Sequence, residues 1–328
     1  MDLIDKKIIL DLMGDCRKTY RSLGKNLGLS STSIRKRVLK LRESGLISRG
    51  YVLLSLAMLD AEHCIAFLST DGTEKDEELV EDIGKNTGVL DIIRSDTHLL
   101  VHSEVVGSLG LYEFGKFLRS FECVVDADIH FMHPITPSPL PNHHQYVYLG
   151  QKVSLKKSQL TVLKHLWSDA RIPATEIAKK TNLSASRVQQ IIRELQSNHG
   201  FYFTIFTNWS AAGIIPFLIM IDYDEREMKS TDVVKWIQER YPIEYWNSWQ
   251  IASLPRIGHF CTAEDIKSIY GITNEVKEAP FARRVGSDIF RPQNHHVGPG
   301  HVFLGELVGI KTTNHRVEFY DNDMDKFY

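Results

Sequence analysis

One segment near the start of the chain, residues 27–47, constrains the fold more than any other. It consists of a turn at residues 28–30, a helix from about Ser31 to Glu43, and a stop at Gly45. Ser30 or Ser31 can cap the start of this helix. Three apolar side chains recur at the spacing of one helix face, which is therefore predicted to be buried: Ile34, Val38 and Leu41.

The opposite face of the same helix is cationic. It holds five basic side chains and a single acidic one, Glu43; the basic ones are Arg35, Lys36, Arg37, Lys40 and Arg42. A solvated helix usually mixes both signs of charge, whereas a helix that lies on a phosphate backbone carries mainly positive charge. The pattern indicates contact with nucleic acid, and a basic solvated helix is the alternative.

Two short amphipathic helices precede this segment, one in residues 3–12 and one in residues 20–27. The second and third helices are joined through residues 28–30, as in a helix-turn-helix. Residues 46–53, around Arg49, predict a strand pair, or wing. The alternative is a bare three-helix protein-interaction domain, which does not explain the basic third helix.

The opening 50 residues also resemble the DNA-binding domain of the Lrp/AsnC (feast/famine) transcription regulators. The matching features are Asp5, Ile8, residues 15–17, residues 19–20, Leu29 with Ser30, Arg37 with Val38, Leu41, and residues 45–47. The resemblance implies a transcription regulator that binds a specific sequence of double-stranded DNA. It also implies control by a small molecule, which is left open here.

The same unit recurs 154 residues later. Leu29 and Ser30 are repeated as Leu183 and Ser184, and the apolar positions of the third helix are repeated as Val188, Ile192 and Leu195. A spacing kept this regular indicates tandem duplication. Each copy is followed by a βαββαβ pattern, which is that of a ferredoxin-like sandwich.

The predicted fold class is therefore α+β, with two copies of a winged helix-turn-helix followed by a ferredoxin-like domain. The predicted domains are a first winged helix-turn-helix at 1–55, a first αβ sandwich at 60–132, a proline-rich linker at 133–152, a second winged helix-turn-helix at 153–210, a second αβ sandwich at 214–292, and a C-terminal extension at 293–328. We expect the two copies to pair within one chain as a pseudo-dimer, and dimerisation of whole chains is left open.

Charge is distributed unevenly along the chain. Residues 1–50 hold 12 basic and 5 acidic side chains, and residues 151–200 hold 9 and 3. Because the whole chain has a net charge of −2, the remaining 228 residues carry −15. An acidic body repels nucleic acid, so we expect DNA contact to be confined to the two basic segments.

The residues predicted to contact DNA differ between the copies. In the first copy, base edges are assigned to Ser31, Thr32, Ser33, Lys36 and Lys40, and phosphates to Arg35, Arg37 and Arg42, with Arg49 on the wing. The second copy has lost most of this charge, since Glu194 stands where the first has Lys40. Its predicted contacts are Ser186, Arg187, Gln189, Gln190 and Arg193. The alternative is that this helix of the second copy has a structural role and does not contact DNA closely.

An Asn-His-His segment is also duplicated, and it suggests a metal site as a minor alternative, with ligands His143, His144, His295 and His296. The interpretation without a metal is a duplicated structural loop. Some Lrp/AsnC-like proteins decarboxylate haem precursors, and the histidines keep that alternative open. We find no nucleophile elbow, phosphate loop or paired catalytic carboxylates. The sequence therefore predicts no metal, no cofactor and no enzymatic activity.

If a small effector binds, the resemblance places it between the paired αβ domains. The candidate residues are Asp96, His98, Trp249 and Arg256. They are bulky or charged where the family has an open glycine-rich pocket, so a filled hairpin and domain interface is the alternative. The four cysteines are scattered, and no signal peptide or long apolar run is present. We therefore expect a cytoplasmic protein without a membrane partner.

Overall fold

The computed structural model describes residues 1–95, 98–135, 150–291 and 294–319. The chain forms two compact units. Among the described residues, a helix-turn-helix unit contains residues 4–61, 150–207 and 296–319, and an αβ unit contains residues 1–3, 62–95, 98–135, 208–291 and 294–295. Both units therefore combine a segment from the first half of the chain with its repeat from the second half.

The described helices and strands follow one another in the same order in both halves, except that a 3-10 turn replaces the fourth helix in the second half, which also ends with one further strand and one further helix. The first half contains α1 (Leu3–Gly14), α2 (Tyr20–Leu27), α3 (Ser31–Glu43), β1 (Ile47–Leu54), α4 (Leu56–Leu59), β2 (Glu62–Thr70), α5 (Asp76–Gly84), β3 (Val89–Arg94), β4 (Leu99–Val105), α6 (Gly107–Leu118) and β5 (Val124–Pro134). The second contains α7 (Lys157–Leu166), α8 (Ala174–Lys180), α9 (Ala185–Ser197), β6 (Phe201–Thr207), a 3-10 turn (Trp209–Ala212), β7 (Ile215–Tyr223), α10 (Ser230–Arg240), β8 (Tyr245–Ile251), β9 (Arg256–Ala263), α11 (Ile266–Lys277), β10 (Ala282–Ile289), β11 (Asn294–His295) and α12 (Gly298–Leu307).

The turn between α2 and α3 has the predicted form, and α3 has the predicted bounds. Ser30 caps α3, because its hydroxyl accepts a hydrogen bond from the Ser33 N–H at 3.1 Å. Gly28 ends α2 in the left-handed region, with φ 68°. At Gly24 a Cβ would lie 2.4 Å from the carbonyl oxygen of Leu29, so α2 can approach the turn this closely only through glycine.

The wing differs from the prediction. Residues 47–54 form one strand, β1, and its partner is β6 of the second copy. The two strands run antiparallel, with Tyr51 opposite Thr204 and Leu54 opposite Phe201. The prediction of a strand pair within residues 46–53 is therefore wrong. Strand pairing is not local, and each copy supplies one strand of the two-stranded sheet.

The loops after α1 and α7 bind the opposite copy in a reciprocal manner. The Cys16 N–H donates to the Phe203 carbonyl at 2.9 Å, and the Ala170 N–H donates to the Gly50 carbonyl at 3.1 Å. The guanidinium of Arg17 donates to the carbonyls of Ala170 and Ile172. These contacts hold the two helix-turn-helix copies together as one unit.

The repeat of Arg17 completes this clasp, which we define as Arg17, Arg171 and the carbonyls that they contact. The guanidinium of Arg171 donates to the Cys16 carbonyl. Gly50 makes room for it, because a Cβ there would lie 2.9 Å from both the Arg171 side chain and the Cys16 sulfur. A side chain at residue 50 would therefore displace the clasp.

The αβ unit is built on one nine-stranded sheet with the order β10-β7-β9-β8-β5-β2-β4-β3-β11. Each copy contributes four strands in the ferredoxin-like order, as β5-β2-β4-β3 and as β10-β7-β9-β8. The copies join where β5 pairs with β8, with Met132 opposite Ile251, and where β11 pairs with β3. The predicted βαββαβ fold and its duplication are confirmed.

The first αβ copy buries both faces of its sheet. Cys64, Ala66 and Leu68 alternate along β2 and pack with residues of α5 and α6, so they lie on the helix side. Ile65 lies on the other side, which we call the inner face. There it belongs to a cluster that joins both copies, with Leu100, Met132, Leu218 and Phe290.

The predicted linker and C-terminal extension are divided differently in the structure. β5 continues to Pro134, so that its last two residues lie in the predicted linker, and residues 136–149 lie outside the described chain. Asn294 and His295 join the αβ sheet, whereas the chain from His296 belongs to the helix-turn-helix unit. There α12 packs beside β1, in a cluster that includes Tyr51, Leu53, Val297, Val302 and Val317.

Within the described residues, no helix is long and apolar enough to cross a membrane. Cys16, Cys64, Cys123 and Cys261 are all free thiols.

We predict that Arg17→Ala lowers the free energy of unfolding by about 1.5–3 kcal/mol, because two carbonyls lose hydrogen bonds to a charged, partly buried donor. Arg21→Ala is the matched control, since Arg21 is exposed on α2 of the same helix-turn-helix copy. Chemical denaturation of the full chain measures both variants. Equal losses from the two substitutions would contradict a structural role for the clasp.

Candidate nucleic-acid interface

The recognition helix of the first module is α3, and its two faces differ as the sequence predicts. Ile34 and Val38 are fully buried and Leu41 is 7% exposed. Three cations lie exposed on the other side: Arg35, Lys36 and Lys40. Within the described chain, none of the three makes an ion pair. Their charge is therefore open to an anionic partner.

The start of α3 adds donors to this surface. Ser31 and Thr32 are exposed in its first turn. The first backbone N–H groups of a helix have no partner within the helix, and they favour anions such as phosphate. Ser33 differs, because its hydroxyl lies 2.9 Å from the Ser30 hydroxyl and belongs to the cap. Ser31 and Thr32 are therefore better placed than Ser33 to contact DNA.

Two of the predicted basic contacts have partners within the protein. Arg37 donates to the Asp5 carboxylate at 2.7 Å and so joins α3 to α1. Arg49 lies over the Tyr51 ring, with its guanidinium carbon 5.1 Å from the ring centre. Both side chains are partly buried, as is Arg42. The predicted phosphate role of Arg37 conflicts with this geometry, because its charge is already neutralised by Asp5.

The second recognition helix, α9, presents a different surface. Its exposed polar side chains include Ser186, Gln189, Gln190 and Arg193. Arg187 is paired with Glu194 of the same helix at 3.3 Å. Glutamine can read adenine in the major groove, but it brings no charge to a phosphate. The second module therefore offers weaker electrostatic attraction than the first.

The predicted effector residues are largely occupied by contacts within the αβ unit. The guanidinium of Arg256 forms a two-pronged ion pair with Asp222, at 2.5 and 3.1 Å. Trp249 packs in the inner-face cluster against Gly258, where a Cβ would lie 2.4 Å from the indole ring. His98 closes a turn with Ser95, and Asp96 lies outside the described residues. The effector site stays a prediction.

A group that sequence reasoning missed lies on the inner face of the first αβ copy. The His102 ring lies between two partners, 3.0 Å from His63 and 3.4 Å from the Asp91 carboxylate. His295 of β11 also hydrogen-bonds Asp91. We call these four residues the histidine cluster. They come from four separate strands, so only their place on the sheet, which the sequence does not show, reveals the group.

A buried carboxyl group lies beside the histidine cluster. Glu104 is opposite His63 in the pairing of β2 with β4 and is 7% exposed. Its Oε2 atom makes no hydrogen bond. Burial raises the pKa of Glu104 to about 8. At Asp91 burial also acts to raise the pKa, but the charge of His295 and the hydrogen bonds of His102 and His295 hold it well below its usual value.

Of the four histidines predicted as a minor metal alternative, the structure describes two, and these two belong to different units. His143 and His144 lie outside the described residues. His295 faces Asp91 in the αβ unit, whereas His296 is buried and pairs with Arg316 in the helix-turn-helix unit. In the part of the chain that the structure describes, no three His, Cys, Asp or Glu side chains are grouped to hold a metal ion.

Comparison with known families confirms the Lrp/AsnC resemblance of the first module. Residues 1–42 match the AsnC-type helix-turn-helix domain, and residues 155–199 match a winged helix-turn-helix DNA-binding domain. The HTH-type transcriptional regulator Ptr1 of Methanocaldococcus jannaschii is 44% identical over 48 residues. This match covers 15% of the present chain and 32% of that regulator. The chain thus carries two DNA-binding-type modules.

Among solved structures, the siroheme decarboxylase NirDL is similar over nearly the whole chain. The match covers 93% of this chain and 98% of that one, with a TM-score of 0.57 and 11% identity. Its complex with an iron-uroporphyrin III analogue matches with a TM-score of 0.54 and the same identity. At this identity the likeness establishes a shared two-copy fold.

This finding contradicts the prediction that the chain is not an enzyme. The prediction rested on the absence of familiar catalytic motifs such as a nucleophile elbow or a phosphate loop. A chain with the same two-copy fold is a decarboxylase. The missing motifs therefore give no ground for excluding an enzyme.

The raised pKa of Glu104 predicts a pH dependence of stability. The folded chain keeps this proton up to a pH of about 8, whereas the unfolded chain releases it near the ordinary value of 4.5. The free energy of unfolding therefore falls as pH rises between these values, by up to about 1.4 kcal/mol per pH unit. Glu104→Gln should remove this contribution.

Denaturation of both proteins at several pH values between 5 and 8 measures the difference in slope. Glu62→Gln is the control, because Glu62 is an exposed carboxylate on β2. A pH dependence that is the same in Glu104→Gln and in the wild type would show that the folded state does not hold this proton.

Proposed function

We propose that this chain is a transcription regulator that binds a specific sequence of double-stranded DNA. The observation that carries the proposal is the surface of α3, which exposes Arg35, Lys36 and Lys40 without ion pairs to any other described residue. The AsnC-type match of residues 1–42 and the 44% identity to a transcriptional regulator support it. Lys36 and Lys40 are assigned to base edges and Arg35 to phosphate.

We further propose that one chain acts as a pseudo-dimer on DNA. The β1–β6 pair and the clasp hold the two modules in one unit, in the manner of two subunits of a dimer. Because α3 and α9 differ in charge, the two half-sites should contribute unequally to binding. A small effector bound to the αβ unit, and dimerisation of whole chains, would be further levels of control.

Substitutions on α3 test the proposal. We expect tight binding to selected duplexes that weakens steeply with salt. Lys36→Ala and Lys40→Ala should each change the preferred sequence, with about 1–3 kcal/mol lost on the best site. Arg35→Ala should instead weaken binding to all sequences alike. Selection from a random duplex library, followed by titrations at several salt concentrations, measures both effects.

Gln190→Ala is the matched control, since Gln190 stands where the first module has Lys36. Its effect should be smaller than that of Lys36→Ala. No binding by the wild-type chain at low salt would overturn the proposed function. A sequence change from Arg35→Ala combined with uniform weakening from Lys36→Ala would reverse the assigned roles on the helix.

We propose decarboxylation of a haem precursor as a second candidate function. Two observations favour it: the two-copy fold that this chain shares with siroheme decarboxylase NirDL, and the histidine cluster on the inner face. Imidazole and carboxyl side chains can hold and transfer protons, as the loss of CO₂ from a carbon requires. This candidate does not account for the cationic surface of α3, so it ranks second.

An absorbance titration with an iron porphyrin that carries acetate and propionate groups separates the two candidates. The second candidate predicts a saturable change in the spectrum that is lost in His63→Ala and in His102→Ala. His315→Ala is the control, because His315 belongs to the helix-turn-helix unit. A spectrum that does not change on mixing would exclude the second candidate and leave the first untouched.

A further inference from the structure

The two recognition helices differ most in charge at one equivalent position. The first module has the exposed cation Lys40 there, and the second has Glu194, which is about one-third exposed. An anion on this surface repels the phosphates that the corresponding lysine attracts. This exchange reverses the charge of the second module at the point where its helix should meet DNA.

Glu194 also neutralises a cation of its own helix. Its Oε1 atom is 3.3 Å from the Arg187 guanidinium, although the two residues are seven positions apart on α9. Seven residues correspond to about 10 Å of helix, so the Arg187 side chain must lie along the helix rather than point outward. The other oxygen of Glu194 accepts a hydrogen bond from the Gln159 amide at 3.3 Å. That hydrogen bond attaches the Glu194 carboxylate to α7.

We propose that Glu194 is a specificity-determining residue that weakens the second half-site by holding Arg187 away from DNA. This inference rests on the proposed DNA-binding function. Arg187 lies in the first turn of α9, where its N–H donates to the capping Ser184. A cation at this position of a recognition helix is well placed to reach DNA once it is released.

The substitution Glu194→Gln isolates this effect, because glutamine keeps the shape of the side chain and can still bond Gln159. We expect the chain to bind duplex DNA about three to ten times more tightly at low salt, since one cation is released and one anion is removed. The slope of log affinity against log salt should become steeper by about 1.

Two further variants show whether Arg187 carries the gain. In Arg187→Ala alone, affinity should fall, because the Glu194 carboxylate loses its counter-charge and is left to repel the phosphates. In the double variant Glu194→Gln with Arg187→Ala, the gain should disappear. Glu239→Gln is the charge-matched control, since Glu239 is an exposed carboxylate on α10 of the αβ unit and is also paired with a cation, Lys235. It should leave affinity unchanged.

The outcomes separate this inference from the proposed function. Wild-type chain that binds DNA while Glu194→Gln gains nothing overturns the inference alone. A gain that survives in the double variant also overturns it, because Arg187 would then not be the group released. A wild-type chain that shows no binding at low salt overturns the proposed function, and the inference with it.

Discussion

The arrangement of the helix-turn-helix unit depends on the reciprocal contact between its two copies. Arg17 of the first copy and Arg171 of the second each donate to carbonyls of the opposite loop, and Gly50 leaves the space that they need. The pairing of β1 with β6 extends the same contact. Because each copy completes the other, both recognition helices belong to one compact unit, and among the described residues neither wing strand pairs with a strand of its own copy.

The two copies share the apolar character of their buried positions, whereas their exposed positions differ. The apolar positions of α3 recur in α9, where Val188, Ile192 and Leu195 are all buried. The exposed positions have diverged, from lysine at residue 40 to glutamate at residue 194. Packing tolerates few changes, whereas an exposed side chain changes at little cost in stability. The same logic explains why a shared two-copy fold does not by itself decide function, so that function must be argued from the side chains of each site.

A feature could be predicted from the sequence when the residues that form it are close together along the chain. The bounds and cap of α3 follow from residues close in sequence, and the prediction of a helix from Ser31 to Glu43 is confirmed. The partner of Tyr51 on β1 is Thr204, 153 residues further along the chain, and no local signal distinguished this pairing from a hairpin. The ion pair that occupies Arg37 and the histidine cluster also need tertiary structure. For that reason, the sequence predicted which face of α3 is basic, but not which of its basic side chains are paired within the protein.

The central claim is that one chain presents two unequal recognition helices to one DNA duplex. Hydroxyl-radical footprinting of the wild-type chain on its best selected site, at one chain per duplex, tests it most directly. We expect two protected patches about one helical turn apart on the same face of the DNA, with the patch assigned to the second module lost first as salt rises. A single patch, or two patches that fade together, would contradict it.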